Sequence, residues 1–256
     1  MIHVPTAPWA HLAFDLVAWS GGIATSVALY RWRLREATQV LASRVDGGYF
    51  GALGVGAASG AWLAGSLNSL RQSAPALSHS VAGALVGAIV AVEIYKALRG
   101  LKGSTGGVFV GSFSLGVAIG RLGCFFAGLA DDTYGSPSRL PWAVDLGDGV
   151  GRHPVQLYES LSMAAFLAVY LLGLKQRQAW AMRRGFYVMC AWYGAQRFVW
   201  EFLKPYPRLI GPFNVFHILC LGLVIYGWVF YRSEQRREQR AQERALPVPG
   251  PDHQPV

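Results

Sequence analysis

Val108-Phe109-Val110-Gly111-Ser112-Phe113-Ser114-Leu115-Gly116-Val117-Ala118-Ile119 runs straight into Gly120-Arg121-Leu122-Gly123-Cys124. Further on, Arg152-His153-Pro154-Val155-Gln156-Leu157-Tyr158-Glu159 opens another apolar run. An arginine that closes one apolar block and a glutamate that enters the next both lie at or inside a membrane. An ionisable side chain there is costly to desolvate and marks a functional position.

The rest of the chain repeats the apolar blocks. It has 256 residues, 53% hydrophobic and 14% charged, against roughly 25% charged in soluble domains. Seven blocks approach the ~20 residues that cross a bilayer: about 9–30, 48–70, 79–98, 107–129, 155–174, 185–203 and 212–231. The fourth and sixth are interrupted by glycine and arginine. The expected fold is an all-α polytopic membrane protein with seven transmembrane helices. The start, Met1-Ile2-His3-Val4-Pro5, lacks a basic region, and the first apolar run exceeds a signal-peptide core, so no cleaved signal is expected.

The formal charge of +9 is not spread as a nucleic-acid surface would require. Of the 23 basic residues, 16 follow alternate spans: Arg31, Arg33, Arg35 and Arg44; Lys96, Arg99 and Lys102; Lys175, Arg177, Arg183 and Arg184; Arg232, Arg236, Arg237, Arg240 and Arg244. The other side has Arg71, Arg139, Arg152, Lys204 and Arg208. Basic loops stay cytoplasmic. The amino terminus is therefore expected outside and the carboxyl terminus in the cytoplasm. Residues 1–231 read as one membrane domain with an outer loop at 130–152. Residues 232–256 read as a tail, first a basic helix near anionic lipid, then a proline-rich disordered end from Pro247 to Val256.

Glycines crowd the second span from Gly47 to Gly65, and Gly83 and Gly87 form a GxxxG in the third. Small residues let membrane helices approach closely, and they carry no chemistry by themselves. The outer loop has Asp131, Asp132, Asp145 and Asp148 among turn formers, with Tyr134, Pro141 and Trp142 favouring an ordered structure on the membrane surface. Cys124, Cys190 and Cys220 fall in or beside apolar blocks, with no metal or disulfide spacing.

Four residues separate Arg197 from Glu201, which places them on one helix face. Glu93 can pair with Lys96 or Lys102, whereas Asp15 has no evident partner. Arg121, Arg197 and Lys204 lie toward the outer half of the bundle. Guanidinium groups match phosphate oxygens bidentately, so a membrane cavity lined by arginines suits an anionic phospholipid headgroup. An ion channel would use aligned carboxylates, and the spans supply few.

These residues resemble the prolipoprotein diacylglyceryl transferase family. Gly120-Arg121-Leu122-Gly123 is similar to that family's Gly-Arg-Leu-Gly-Asn core. Leu140-Pro141-Trp142-Ala143-Val144 and Arg152 to Glu159 resemble its next two motifs, the second highly specific. Tyr193-Gly194 through Arg197, Glu201 and Lys204 resembles its late arginine–glutamate helix. His79 falls where the family has a histidine before two glycines. The resemblance covers roughly residues 10–230.

It implies a bacterial inner-membrane enzyme that moves the diacylglyceryl group of phosphatidylglycerol to the lipobox cysteine of a prolipoprotein. By that resemblance Arg121 and Arg197 bind the lipid phosphate and stabilise the departing group, with Glu201 orienting Arg197. His79 is the candidate base for the incoming thiol. Cys124, Gly135, His153, Gln156, Tyr158, Glu159 and Lys204 shape the substrate site. No metal or organic cofactor is implied, and the partners are the lipid, the prolipoprotein signal region and the membrane. The sequence departs from the family pattern at Cys124 for asparagine, at Phe14 for a tyrosine, and at Ser80 and Val81 for the two glycines. Ala127-Gly128-Leu129 lacks the acid of an Asn-Gly-Glu continuation, with Asp131 or Asp132 as its replacement. These departures fit a divergent paralogue. They keep open a non-catalytic anionic-phospholipid binding or transport protein, or a transferase with a different acceptor.

Overall fold

A computed structural model describes residues 1–42, 45–70 and 77–245. Arg44, Arg71 and the proline-rich end from Pro247 to Val256 lie outside the described residues.

The chain enters through a short strand, β1 (Ile2–His3), and then α1 (Trp9–Leu29). A π-helical turn over Tyr30–Leu34 carries α1 into α2 (Arg35–Ala42). Next come α3 (Gly47–Ser69), α4 (Val81–Leu98) and α5 (Val110–Ala127). The long loop over 130–152 contributes β2 (Val144–Asp145) and β3 (Gly151–Arg152). Helices α6 (Val155–Lys175), α7 (Ala179–Arg183), α8 (Gly185–Glu201) and α9 (Val215–Ala245) complete the described chain.

Among the described residues, six helical segments are long and apolar enough to cross a membrane: Trp9–Thr38, Gly47–Ser69, Val81–Leu98, Gly106–Asp131, Val155–Lys175 and Val215–Arg244. The sixth expected span forms α8, a shorter helix of 17 residues that carries Arg197 and Glu201. It packs along α9 and touches α6. The expected basic extension of the last span is present, because α9 continues unbroken to Ala245.

The packing inverts that of a soluble protein. Leu12, Leu16 and Ile23 on α1, Val55 and Leu63 on α3, and Leu221 and Ile225 on α9 are exposed, while Arg121, Glu159, Arg197, Glu201 and Lys204 are buried. Hydrocarbon accepts the first set, and only the bundle interior can satisfy the second. Helix α1 packs along α5, α3 along α4, and α5 against α6. At the α3–α4 seam the backbones nearly touch. A Cβ on Gly60 would strike the Gly83 carbonyl oxygen and come within 2.8 Å of Gly87 Cα.

At the basic end, Lys96 Nζ lies 2.9 Å from Glu93, whose carboxylate also accepts from the Tyr226 hydroxyl at 2.9 Å. Nearby, Leu85, Ile89, Phe109, Phe113 and Tyr187 help line an apolar cavity of about 340 Å³. At the opposite end the loop over 130–152 is ordered. Strand β2 pairs in parallel with β1 and antiparallel with β3. Phe125, Val144 and Leu146 form a small core beneath this sheet, with Val4, Tyr134 and Leu157 against it. The sheet fastens the chain's beginning to the loop that precedes α6. Two-residue strands leave no alternation to read, so the sequence offered no sign of them.

A buried charge cluster as the candidate active site

Three helices meet at the cluster. Arg121 comes from the turn before the last of α5, Glu159 from the second turn of α6, and Arg197 and Glu201 from one face of α8. Pro154 caps α6 with non-helical backbone, and Val155, Gln156, Glu159, Ser160 and Met163 form the buried stripe that follows. The Ser160 hydroxyl donates to the Ala118 carbonyl of α5 at 2.7 Å, which ties the two helices together one position from Glu159. Lys204 lies just past α8, where the chain turns back.

Glu159 is the hub. Its Oε2 pairs with Arg121 Nε and lies 3.7 Å from Arg197 Nη1, and its Oε1 accepts from Lys204 Nζ at 2.7 Å. Glu201 lies 3.7 Å from Arg197 Nη2 and 3.9 Å from Lys204 Nζ, and it accepts from Asn214 Nδ2 at 3.1 Å. Three cations therefore face two carboxylates, and the cluster carries one surplus positive charge in a buried site. Arg197 Nε and Nη1 have no hydrogen-bond partner among the described residues although both are buried. A buried guanidinium with idle donors is poised for an anion.

The structure places the other expected residues around this hub unevenly. Tyr158 accepts a hydrogen bond from Trp142 Nε1 at 2.7 Å, which draws the outer loop onto α6, and its ring lies 5.1 Å from that of Trp200. Gln156 is buried beside Glu159's turn with Nε2 unpartnered among the described residues, as is His153 Nδ1. Gly135 sits so close to His153 that a Cβ would strike the His153 carbonyl oxygen. That approach lets Ser136 donate its backbone N–H to Leu203 at 2.6 Å and accept from His153 N at 3.1 Å. The loop thereby clamps the start of α6 to the end of α8. Cys124 lies beside the cluster, with Arg121 Nη1 3.8 Å from its Sγ.

Among the described residues His79 has no hydrogen bond or ion pair to the cluster. It is exposed at the mouth of the α3–α4 hairpin, edge-on to Trp62 with ring centroids 4.4 Å apart. Asp15, without an evident sequence partner, lies 3.2 Å from His11 Nε2, one helical turn earlier.

Asn214 and His217, polar residues at the cluster, escaped the sequence reading. Asn214 links Glu201 to α9, and its Oδ1 accepts from the His217 backbone N–H at 3.1 Å, while His217 Nδ1 lies 3.2 Å from the Asn214 backbone nitrogen. An asparagine directly before an apolar run is a helix-start signal, but nothing in the spacing joins it to Glu201. Tyr193, one turn before Arg197, is buried with its hydroxyl unpartnered among the described residues.

Comparison with known proteins points the same way. The chain resembles a phosphatidylglycerol–prolipoprotein diacylglyceryl transferase of Finegoldia magna, 30% identical over 139 residues, covering 54% of this chain and 53% of the relative. Its counterpart in Solidesulfovibrio magneticus is 36% identical over 129 residues, 46% of each chain. In Methylococcus capsulatus the figures are 31% over 165 residues, 60% of this chain and 61% of the relative. The chain spans about half the length of the curated relatives it matches. No solved structure matches it. The family model for prolipoprotein diacylglyceryl transferase matches residues 17–232, a stretch that holds the whole charge cluster. On that match the chain belongs to the prolipoprotein diacylglyceryl transferase family.

Proposed function

We propose that this protein transfers the diacylglyceryl group of phosphatidylglycerol to the lipobox cysteine thiol of a prolipoprotein, in the outer half of a bacterial inner membrane. The observation that carries this reading is the buried Arg197 with two idle donors in a cluster of net positive charge. A lipid phosphate neutralises that surplus and occupies those donors. The apolar cavity of about 340 Å³ suits an acyl chain.

In this reading all seven blocks span the membrane, with α8 as the sixth span. Strand β1 and the loop strands β2 and β3 share the outer face, and the basic end of α9 faces the cytoplasm. Residues 1–231 act as one membrane domain and residues 232–256 as its tail.

The reaction makes one bond and breaks one. The thiolate sulfur attacks the carbon of the diacylglyceryl unit that is esterified to the phosphate. A C–S bond forms, the C–O bond breaks, and glycerol phosphate leaves with the electron pair. The thiol is a weak nucleophile until deprotonated, and His79 takes its proton at the outer mouth, where an incoming peptide meets the protein. Arg121 and Arg197 hold the phosphate as charge develops on the leaving oxygen. Glu159 and Glu201 fix the two guanidinium groups, with Lys204 between them. Gln156, Tyr158, His153 and Gly135 shape the headgroup side. The step requires no cofactor.

Cys124, in place of the family's asparagine, favours a second reading: a lipid-binding or transport protein, or a transferase with another acceptor, on the same arginine cavity. One experiment separates them. Purified protein is incubated with phosphatidylglycerol and a lipobox peptide, and both are followed by mass spectrometry. The expected result is a peptide heavier by one diacylglyceryl group with glycerol phosphate released. Arg197→Ala should lower the rate about 100-fold or more, the scale for losing one charge-stabilising donor. Lipid retained but no product, under conditions where another family member works, would assign the protein to the second reading.

A further inference from the structure

Behind the charge cluster, α1, α5 and the turn after α5 bring a second set of groups together. His11 of α1, Cys124 of α5 and Asp131 each offer one donor atom, and the three atoms lie within 4.8 Å of one another. Helices α1 and α5 pack closely here, since a Cβ on Gly123 would come within 2.7 Å of Phe14 Cβ and 3.4 Å of the His11 carbonyl oxygen.

The surroundings orient each donor. His11 Nδ1 faces Asp131 Oδ1 at 2.5 Å, while its Nε2 faces Asp15 Oδ2 at 3.2 Å. One ring nitrogen thus points into the cluster and the other is held by a carboxylate. That is the arrangement by which an outer carboxylate sets the tautomer of a metal-bound histidine. The Thr133 hydroxyl donates to the other oxygen of Asp131, leaving Oδ1 for the cluster. Arg121 Nη1 lies 3.8 Å from Cys124 Sγ.

We infer that His11, Cys124 and Asp131 form a binding site for a divalent transition-metal ion, with Asp15 as the outer partner of His11. One thiolate, one imidazole and one carboxylate match the N, S and O ligands of zinc. Calcium and magnesium call for oxygen ligands alone. Three protein ligands leave a fourth, open position, the pattern of reactive rather than purely structural zinc sites. Binding exchanges protons for metal. The thiol proton and the proton shared by His11 and Asp131 leave, and bonds from Sγ, Nδ1 and Oδ1 to the metal form. Tetrahedral zinc at ~2.0–2.1 Å from the nitrogen and the oxygen needs those two atoms about 3.3 Å apart. His11 and Asp131 must therefore part by roughly 0.8 Å, a movement within reach of side-chain rotation.

The test uses the full chain in detergent, stripped with chelator, reloaded with zinc or cobalt(II) and cleared of excess metal. Elemental analysis should find roughly one zinc per chain, and the cobalt form should show a near-ultraviolet thiolate-to-metal charge-transfer band. Cys124→Ser should abolish the band, and His11→Ala should release the metal. Cys190→Ser should change nothing, because Cys190 lies in the apolar core. Asp15→Asn should weaken binding by about 10–100-fold without abolishing it. Helicity and elution volume check that each variant is folded, and Asp131→Asn replaces any that is not. Wild type that retains no zinc, or shows no thiolate band with cobalt, overturns the inference. So does equal zinc in wild type and Cys124→Ser. In either case His11 is a hydrogen-bonded bridge between Asp15 and Asp131.

Discussion

Two helix seams in this bundle solve the same problem in opposite ways. Along α3 and α4 the contact is made by Gly56, Gly60, Gly83 and Gly87, with backbone against backbone. Where α5, α6 and α8 meet, it is made by Arg121, Glu159 and Arg197, with charge against charge. Membrane helices gain little from burying apolar surface, because lipid tails are as apolar as leucine. The first seam draws on dispersion at close range. The second accepts desolvated charges, and a glycine stripe would join the same helices without that cost. Under the proposed function the charges are retained for chemistry, and the two seams should respond differently to damage.

The sharpest break is Glu159→Gln. The amide keeps the shape of the carboxylate, yet Arg121, Arg197 and Lys204 then share Glu201 alone. Removing one partner of a buried ion pair costs about 3–5 kcal/mol, because the charge left behind stays desolvated. Unfolding measured by denaturing-detergent titration should fall by that amount, and added phosphatidylglycerol should restore part of it by supplying an anion. An unchanged midpoint would mean that the cluster is not the electrostatic unit described above.

The glycine seam should break sterically. In Gly60→Val the new side chain meets the Gly83 carbonyl and Gly87, so α3 must shift away from α4. Overpacking of this kind costs about 1–3 kcal/mol. Gly54→Ala is the control, since a Cβ there meets nothing within 4 Å. The detergent midpoint should drop for Gly60→Val, hold for Gly54→Ala, and show no rescue by lipid in either. Rescue of Gly60→Val by phosphatidylglycerol would erase the distinction between the seams.

The two seams also differed in how far the sequence disclosed them. The glycine positions and the GxxxG in α4 were plain, as were Arg121, Glu159 and Arg197, because polar groups in apolar blocks stand out. Glu201 followed from its four-residue spacing. Asn214 and His217 did not, because they reach Glu201 through a turn from 202 to 214 that no periodicity describes. Asp15 had a partner at helical spacing in His11, legible in principle and passed over. The grouping of His11 with Cys124 and Asp131 joins three distant points of the chain. The short strands that bind the amino terminus to the outer loop left no pattern to read. What the sequence disclosed was the cost of each residue's placement, and what it concealed was contact made by return of the chain.

An ion pair outside the long apolar helices isolates the role of burial. In the loop before α6 Arg152 grips Asp148 through two parallel hydrogen bonds, at 2.6 and 2.7 Å, and its guanidinium also lies 5.1 Å from the Tyr134 ring centre. The geometry is better than that of Arg197 with Glu159, yet Asp148 is in solvent. The Arg152 hydrogen bond, aided by the Val150 backbone N–H, holds the Asp148 carboxyl down at about 2. A lowered value in the folded state means that the pair contributes above the unfolded carboxyl pKa near ~3.9. The contribution is lost as pH falls toward about 2. Solvent and salt screen such a pair. Asp148→Asn should therefore lower Tm slightly at pH 7, less than either seam variant, with the difference shrinking in high salt and closing as pH falls toward about 2. A drop comparable to that of Glu159→Gln would show that pair geometry, rather than burial in the membrane, sets the strength of the charged seam.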